Sequence, residues 1–460
     1  MAVSGLVEEI GRALGPDAVL AGEAAAERAR TPWARLGTPA AIVRPRSTEE
    51  VSWVLEAAHA ARQGVVPWGG LTGLVDGACA DGAVALSLER MNVIEQIDPA
   101  TATMRVQAGC ILQTACEAAE EKGLLLPLDL GARGSATIGG NISTNAGGNR
   151  VLRYGMMRDM VLGLEAVLAD GAVIQALNPL MKNNAGYDVK QLFIGSEGTL
   201  GVVTRAVLRL RPKPTSVNVA FLAVDAFERL PALLRRLERD LGGTLSAFEV
   251  MWPEYYDLVT TAPAKGRAPV PKTHAYYVLV EAMGAAPEAD AERFTTVLGE
   301  ALADGDIADA AIAQSVGERA EMWHLRDDVV QVARNAPIFT FDVSLRISDM
   351  EAYVERVRAD LKARWGDAAT MMVFGHLGDG NLHLIPGVGD GSPEARRAVE
   401  EIVYGPLRGV PSSVSAEHGI GLQKRDFLSW SKSGPEIALM RTLKAALDPR
   451  GILNPGKVLA

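Results

Sequence analysis

The sequence predicts an α+β chain in two parts, and three observations carry that expectation. A strand–helix–strand unit ends in a glycine turn near residues 40–70, a β-α-β-β-α-β succession fills residues 217–314, and the Pro- and cation-rich joint RLRPKPT lies at 209–215. In the first part, AAIVRP at 40–45 is an apolar run with a Pro stop. Ser47 and Glu50 then form an S-x-x-E capping box, which predicts a helix from about 49 to 62. GVVPWGG at 64–70 follows as a short buried strand running into a turn. A second small-residue stretch, GARGSATIGGNISTNAGGN at 131–149, precedes the strand-like MVLGLEAVLADG at 160–171.

Beyond a boundary placed at about 215, strands are expected at 217–224, 244–251, 276–281 and 310–314, with helices at 230–241 and 288–303. That order is a ferredoxin-like layout. A last helix at 435–446 leads into DPRGILNPGKVLA, where Pro and Gly break it. The N-terminal residues 1–16, charged at Glu8, Glu9 and Arg12, read as an amphipathic helix without the apolar core of a signal peptide.

Composition narrows the function classes. The 460 residues carry a net charge of −10, which argues against a polyanion-binding role because phosphate backbones are repelled at long range. With 48% hydrophobic and 22% charged residues the chain is expected to be globular, and no apolar run is long enough to span a bilayer. Cys79, Cys110 and Cys116 make an odd set without C-x-x-C spacing, so neither a disulfide framework nor a zinc cysteine cluster is expected. A reducing cytoplasm is the simplest compartment.

PWGGLTGLVDGA at 67–78 packs four glycines around Thr72, so that backbone N–H groups can approach an anion. Alone it equally fits tight turns, and it matches neither the G-x-G-x-x-G fingerprint nor the G-x-x-x-x-G-K-[ST] loop. Together with GSATIGGNISTNAGG and with KNNAGYDVKQLFIGSEGTLGVVT at 182–204, however, it resembles the FAD-binding domain of the vanillyl-alcohol oxidase and p-cresol methylhydroxylase superfamily. The similarity is to the branch of D-lactate, glycolate and D-2-hydroxyglutarate dehydrogenases, and it extends from about Pro39 to the C-terminus.

The resemblance implies a two-subdomain FAD-binding domain at 1–214, a ferredoxin-like substrate (cap) domain at 215–410, and a C-terminal segment at 411–460 that completes the active site. It implies that Pro67, Gly69, Gly70, Leu71, Thr72, Gly73 and Leu74 hold the FAD pyrophosphate. Pro127, Leu128, Asp129, Ser135, Thr137, Gly140, Asn141, Thr144 and Asn145 would line the nucleotide and flavin. Glu197, Gly198, Gly201 and Val202 would lie at the adenine end, and Asn454 would return to the flavin. Some superfamily members tether FAD through a histidine in the first glycine loop. His59 falls on the preceding helix instead, so non-covalent FAD is expected.

VFGHLGDGNLHLI places His376 and His383 around Asp379-Gly380, a two-residue hairpin signal. In that register the two imidazoles are direct cross-strand neighbours, with Cβ atoms roughly 5 Å apart, which suits one shared metal ion. SAEHGIG supplies Glu417 beside His418, and two His with one Glu leave open positions, as in a catalytic site. A calcium loop is excluded, since the twelfth position from Asp379 is Asp390 rather than Glu. The H-x-G-D-G-N-x-H and E-H-G motifs resemble the metal centre of the 2-hydroxyacid branch. By that match His376, His383 and Glu417 bind a divalent ion, Asn381 helps hold the substrate, and His418 is the base. Zinc suits the ligand set, with manganese or iron as alternatives.

In EMWHLRDDVVQV, Trp323, Leu325, Val329 and Val330 recur at helical spacing and are expected in the core. Arg326 in W-x-L-R resembles the family's substrate-carboxylate arginine, and a planar guanidinium suits that task. Where the D-2-hydroxyglutarate enzymes carry a threonine and a lysine for the distal acid, this chain has Val330 and Thr340. That departure favours a monocarboxylate such as D-lactate over D-2-hydroxyglutarate or D-malate, although Arg346 could restore a cation. The expected activity is metal-assisted, FAD-dependent oxidation of a D-2-hydroxyacid. Electrons would pass to an electron-transfer flavoprotein, a quinone or a cytochrome, with a homodimer and a peripheral place at the inner membrane compatible with it. A non-redox flavin-dependent synthase and an inactive flavin-binding subunit of an oxidase complex are the competing classes.

Overall fold

The computed structural model describes residues 3–459, which divide into two units. One takes the chain up to Gly147, Gly155–Lys213 and Glu417 onward; the other takes Gly148–Tyr154 and Pro214–Ala416. Met1 and Ala2, the start of the expected N-terminal helix, and Ala460 lie outside the described residues. The helix runs Val3–Leu14 and buries Leu6 and Ile10, four apart and therefore on one face. No helix of the described residues is long and apolar enough to cross a membrane.

In the first unit Ser47 caps the helix Thr48–Ala61, its hydroxyl accepting the Glu50 N–H at 3.3 Å. Such a cap contributes roughly 0.5–2 kcal/mol. The Glu50 carboxylate reaches one residue further back than the expected box and accepts the Arg46 N–H at 2.7 Å. Val51, Val54, Leu55 and Ala58, at i, i+3, i+4 and i+7, pack with Val43, Val65, Val84 and Leu86. Each fully buried Val or Leu there adds about 1.5–3 kcal/mol. The sheet beneath has the order Val19–Leu20, Ala41–Val43, Val84–Ser87, Val65–Trp68, and its last two pairings are parallel. An antiparallel sheet of Ile94–Asp98, Thr103–Gln107, Val202–Arg209, Val161–Val167 and Val173–Ala176 forms the second layer of this unit.

The second unit is built on the β-α-β-β-α-β succession. Strands Asp309–Ile312, Ser216–Val224, Tyr276–Gly284 and Leu245–Met251 lie side by side in that order, all antiparallel, with the helices Arg229–Asp240 and Pro287–Ala303 as connections. Leu230, Leu233, Leu234 and Leu237 form the buried stripe of the first of these helices. An extra helix, Pro253–Thr260, is inserted after Met251. Its Tyr255 and Tyr256 join Phe221, Tyr277, Met322, Leu325 and Phe374 in one core. The sheet continues through Thr370–His376, Asn381–Gly387, Phe341–Leu345 and Ser412–Ser413, and these added strands carry the chemistry-bearing side chains.

One expectation about the core is corrected. The helix Val316–Asp327 ends before Val329, and Val329–Asn335 is a 3-10 turn, so the 3.6-residue periodicity stops. Leu325 is buried, whereas Val330 is 63% exposed.

Candidate active site

The hairpin bearing the two histidines is offset from the expected register. Phe374, not His376, stands opposite His383, and the loop is the four-residue Leu377-Gly378-Asp379-Gly380. A two-residue type I′ turn needs positive φ at both central positions. Here only Gly380 adopts it, at +85°, after a 3-10 turn that drives Leu377 into the core. The offset is an even number of residues, so both imidazoles still share one face. Their ring centroids are 5.4 Å apart at 79°.

His376 has a cross-strand partner that the sequence did not suggest. Glu249 lies directly opposite it on the neighbouring strand, and the Glu249 Oε1 to His376 Nδ1 distance is 2.7 Å. A carboxylate only accepts, so Nδ1 carries the ring hydrogen; Arg326 only donates, and its Nη2 lies 3.1 Å from Nε2. Arg326 Nε also donates to Glu249 Oε2 at 2.7 Å, and its guanidinium lies 4.9 Å above the Phe374 ring. Glu249 and Arg326 are 1% and 5% exposed. Burial alone would push the Glu249 carboxyl up, but the His376 ring and the Arg326 guanidinium outweigh it and hold the group below the ordinary glutamate value. Tyr255 fixes the arginine's own backbone, its hydroxyl donating to the Arg326 carbonyl at 2.9 Å.

The third expected ligand is positioned by another buried acid. Asp342, cross-strand partner of His383, accepts the Ser415 hydroxyl at 3.1 Å and the Ala416 N–H at 2.9 Å. Glu417 follows directly, and His376, His383 and Glu417 each offer a ligand atom within 4.8 Å of the others. Two imidazoles and a carboxylate at that separation fit a divalent ion with open coordination positions. Asn381 is 3% exposed, and neither its amide nitrogen nor its amide oxygen has a hydrogen-bond partner. An orphaned buried amide is costly, and a bound polar ligand would relieve it. Thr340 is exposed beside Phe341, and Arg346 is engaged by Asp349 at 2.7 Å on the surface.

The residues expected to hold FAD lie in the first unit, and most converge. A Cβ on Gly70 would fall 2.0 Å from the Ser135 carbonyl oxygen, and one on Gly69 would fall 2.5 Å from Thr137 Oγ1, so the two glycine-rich stretches touch. The Gly70 requirement is thus first one of loop against loop. Thr137 caps the helix Ile138–Thr144, accepting the Gly140 N–H, and Thr144 Oγ1 donates to the Gly140 carbonyl. Asn145 ends that helix in the left-handed region and accepts the Arg158 N–H. Asn454 Nδ2 donates to the Gly77 and Glu197 carbonyls at 3.1 and 2.7 Å, bringing the C-terminal segment onto the first loop. Asn141 Nδ2 and Asn454 Oδ1 are buried without partners, as a cradle for a polar cofactor requires. Gly73 has open space around it.

Other expected contacts are taken up by the protein itself. Both Glu197 carboxylate oxygens accept backbone N–H groups, from Ile420 at 2.7 Å and Gly421 at 2.9 Å. Burial raises this carboxyl above its ordinary value despite those donors and nearby Lys424. Glu197 therefore holds the turn that follows His418, and Leu422 N–H donates to the Val75 carbonyl in the first glycine loop. Gly198 packs on Pro67, Gly201 makes room for the Phe193 ring, and Val202 is buried in a strand opposite Val167. Pro127 and Leu128 are buried, and Asp129 pairs with Arg133 at 2.9 Å. Leu71 and Thr72 are half-buried, Leu71 with φ +57°.

Both parts of the chain match described protein families. A family described as FAD binding domain matches residues 39–176, and one described as FAD linked oxidases, C-terminal domain, matches residues 213–458. The chain is 43% identical over 426 residues to the mitochondrial D-2-hydroxyglutarate dehydrogenase of Bos taurus, covering 92% of this chain and 77% of that one. It is 40% identical over 437 residues to the corresponding Arabidopsis thaliana protein, covering 94% and 78%. Among solved structures, p-cresol methylhydroxylase with substrate bound superposes with a TM-score of 0.79 at 16% identity, covering 99% of this chain and 96% of that one, a likeness of fold.

Proposed function

The chain belongs to the FAD-linked oxidases, in the branch of FAD-dependent D-2-hydroxyacid dehydrogenases, and from that premise we propose that it oxidises a small D-2-hydroxyacid, D-lactate foremost, with the help of a divalent metal ion. The observation that carries the metal-assisted reading is the convergence of His376, His383 and Glu417 ligand atoms within 4.8 Å. When bound, non-covalent FAD supplies a hydride acceptor at N5, and the ion, zinc by its donor set, supplies a Lewis acid that lowers the hydroxyl pKa of the substrate. His418 takes the hydroxyl proton, as a neutral imidazole is suited to do near pH 7. Asn381 offers one donor and one acceptor to the substrate, which would satisfy both of its orphaned amide atoms. Arg326 has Nε and Nη2 engaged, so its Nη1 edge is the one left to meet a carboxylate.

The preference for a monocarboxylate rests on Val330 and Thr340 standing where the dicarboxylate enzymes carry threonine and lysine, and on Arg346 being occupied by Asp349. A distal carboxylate without a cation forgoes a charge-assisted hydrogen bond of about 1.5–3 kcal/mol. The relatives' names favour a second reading, D-2-hydroxyglutarate, with D-malate as its shorter analogue. Anaerobic reduction of the bound flavin by D- and L-lactate, D-2-hydroxybutyrate, D-2-hydroxyglutarate and D-malate separates the two. Higher kcat/KM for D-lactate is expected; a clear preference for D-2-hydroxyglutarate would overturn the monocarboxylate reading, and reduction by none of them would overturn the dehydrogenase reading.

A further inference from the structure

We propose that Glu249 is a positioning residue of the metal centre: it accepts the hydrogen bond from His376 Nδ1–H, fixes that ring with Nε2 as its ligand atom, and is itself held by Arg326. The inference rests on His376 being a metal ligand. Three contacts carry it. Glu249 is the direct cross-strand partner of His376, so the backbone ladder sets their spacing independently of either side chain. The 2.7 Å contact from Oε1 engages Nδ1, which leaves the lone pair to Nε2; Arg326 Nη2 meets that lone pair at 3.1 Å, and a metal ion would take it over from the arginine. The second carboxylate oxygen is engaged by Arg326 Nε, also at 2.7 Å, so the carboxylate is clamped at both ends and cannot rotate away.

The chemistry gives this arrangement a purpose. A neutral imidazole presents its lone pair on whichever nitrogen lacks the hydrogen, and the group bound to the other nitrogen decides which that is. A carboxylate in that position also makes the ligand nitrogen more basic, and loss of such a partner typically weakens metal binding 10–100-fold. Glu249 is 1% exposed in a buried strand, where an unpaired charge would be prohibitive.

The test uses the FAD-loaded full chain and two readouts, zinc affinity by competition with a chromophoric chelator and the nitrogen-15 histidine spectrum after zinc is stripped. Four variants are compared for zinc affinity, namely Glu249→Gln, the double variant Glu249→Leu with Arg326→Met, Arg326→Met alone, and His383→Ala, and a fifth, His376→Asn, assigns the spectrum. The double variant removes both charges, so that folding does not fail on an unpaired one, and flavin content checks its integrity. In wild type, the signal missing from a His376→Asn spectrum should be that of an Nδ1-protonated neutral ring. The double variant should lose that tautomer bias and bind zinc 10–100-fold more weakly. Glu249→Gln, whose amide oxygen still accepts, should lie between, and Arg326→Met should retain affinity within a few-fold because Glu249 remains. Equal losses in Arg326→Met and the double variant would mean general disturbance of the core and would overturn the proposal. So would wild-type zinc affinity in the double variant while His383→Ala has lost zinc. Full zinc retention in His383→Ala would instead overturn the metal reading beneath it.

Discussion

Arg326→Met should destabilise the second unit by about 3–5 kcal/mol, the usual cost of removing one partner from a buried ion pair. The structure supports the upper class of effect. Arg326 is 5% exposed and lies 2.7 Å from a carboxylate that is itself 1% exposed, so the variant leaves Glu249 with His376 as its remaining hydrogen-bond donor and no countercharge. Arg346→Met is the internal control, since Arg346 makes an equally short contact with Asp349 but its side chain is 64% exposed. A surface pair of that kind is worth about 0–1 kcal/mol. For a body of 150–250 residues, each kcal/mol moves Tm by about 2–4 °C. Calorimetry should therefore show a loss of roughly 6–20 °C for Arg326→Met, against less than about 4 °C for Arg346→Met. Adding Glu249→Leu to Arg326→Met should recover much of the loss, leaving about 1–3 kcal/mol for the orphaned His376 Nδ1–H. If Arg326→Met melts with Arg346→Met, or the second substitution recovers nothing, the buried pair is not what holds this region together.

Gly70→Val should reduce the FAD content of purified protein, because its Cβ would fall 2.0 Å from the Ser135 carbonyl oxygen; an unchanged ratio of flavin to protein absorbance would refute this. Acid precipitation should leave all the flavin in the supernatant, since His59 lies on the helix Thr48–Ala61 and not in the glycine loop, and yellow precipitate would contradict it. His376→Ala and His383→Ala should lose their divalent metal by elemental analysis while FAD stays bound, whereas full occupancy would place the ligands elsewhere. His418→Ala should keep FAD and metal but reduce the flavin with substrate roughly two to four orders of magnitude more slowly, the scale of a lost general base. Unaltered reduction kinetics would make His418 a bystander.

Local signals were legible in the sequence and register was not. The β-α-β-β-α-β order could be read because strand and helix periodicities are properties of a dozen neighbouring residues, and Ser47, Leu230 and Leu237 carry them plainly. The His376–His383 offset could not, because Asp-Gly announces a turn without saying whether two residues or four will form it. That choice was made by Leu377, whose burial in the core favours the longer loop. The glycine stretches were read as surfaces where backbone N–H groups meet an anion; what approaches Gly70 in the structure is Ser135 and Ala136, a contact across 65 positions of sequence that no local pattern encodes.

The acids that organise the site were missed for a related reason, although one signal could have found them. In the second unit AFEVM, LVEAM and FDVSL each set a carboxylate inside a largely apolar strand, and a buried strand tolerates a charge only if something distant neutralises or hydrogen-bonds it. In each case the structure supplies that partner. Glu249 meets Arg326 and His376; Glu281 meets Arg150 at 3.0 Å, Ser246 at 2.8 Å and Trp323 at 3.1 Å; Asp342 meets Ser415 and the Ala416 N–H. Each partner lies far away in sequence, so the pairing becomes visible only once the strands are assembled. What can be read beforehand is the demand for a partner. Here two of the three demands are answered beside a proposed metal ligand, His376 in one case and Glu417 in the other. The cost of burying those two carboxylates is therefore incurred where side-chain placement matters most, whereas Glu281, which braces Arg150 and Trp323, answers to packing.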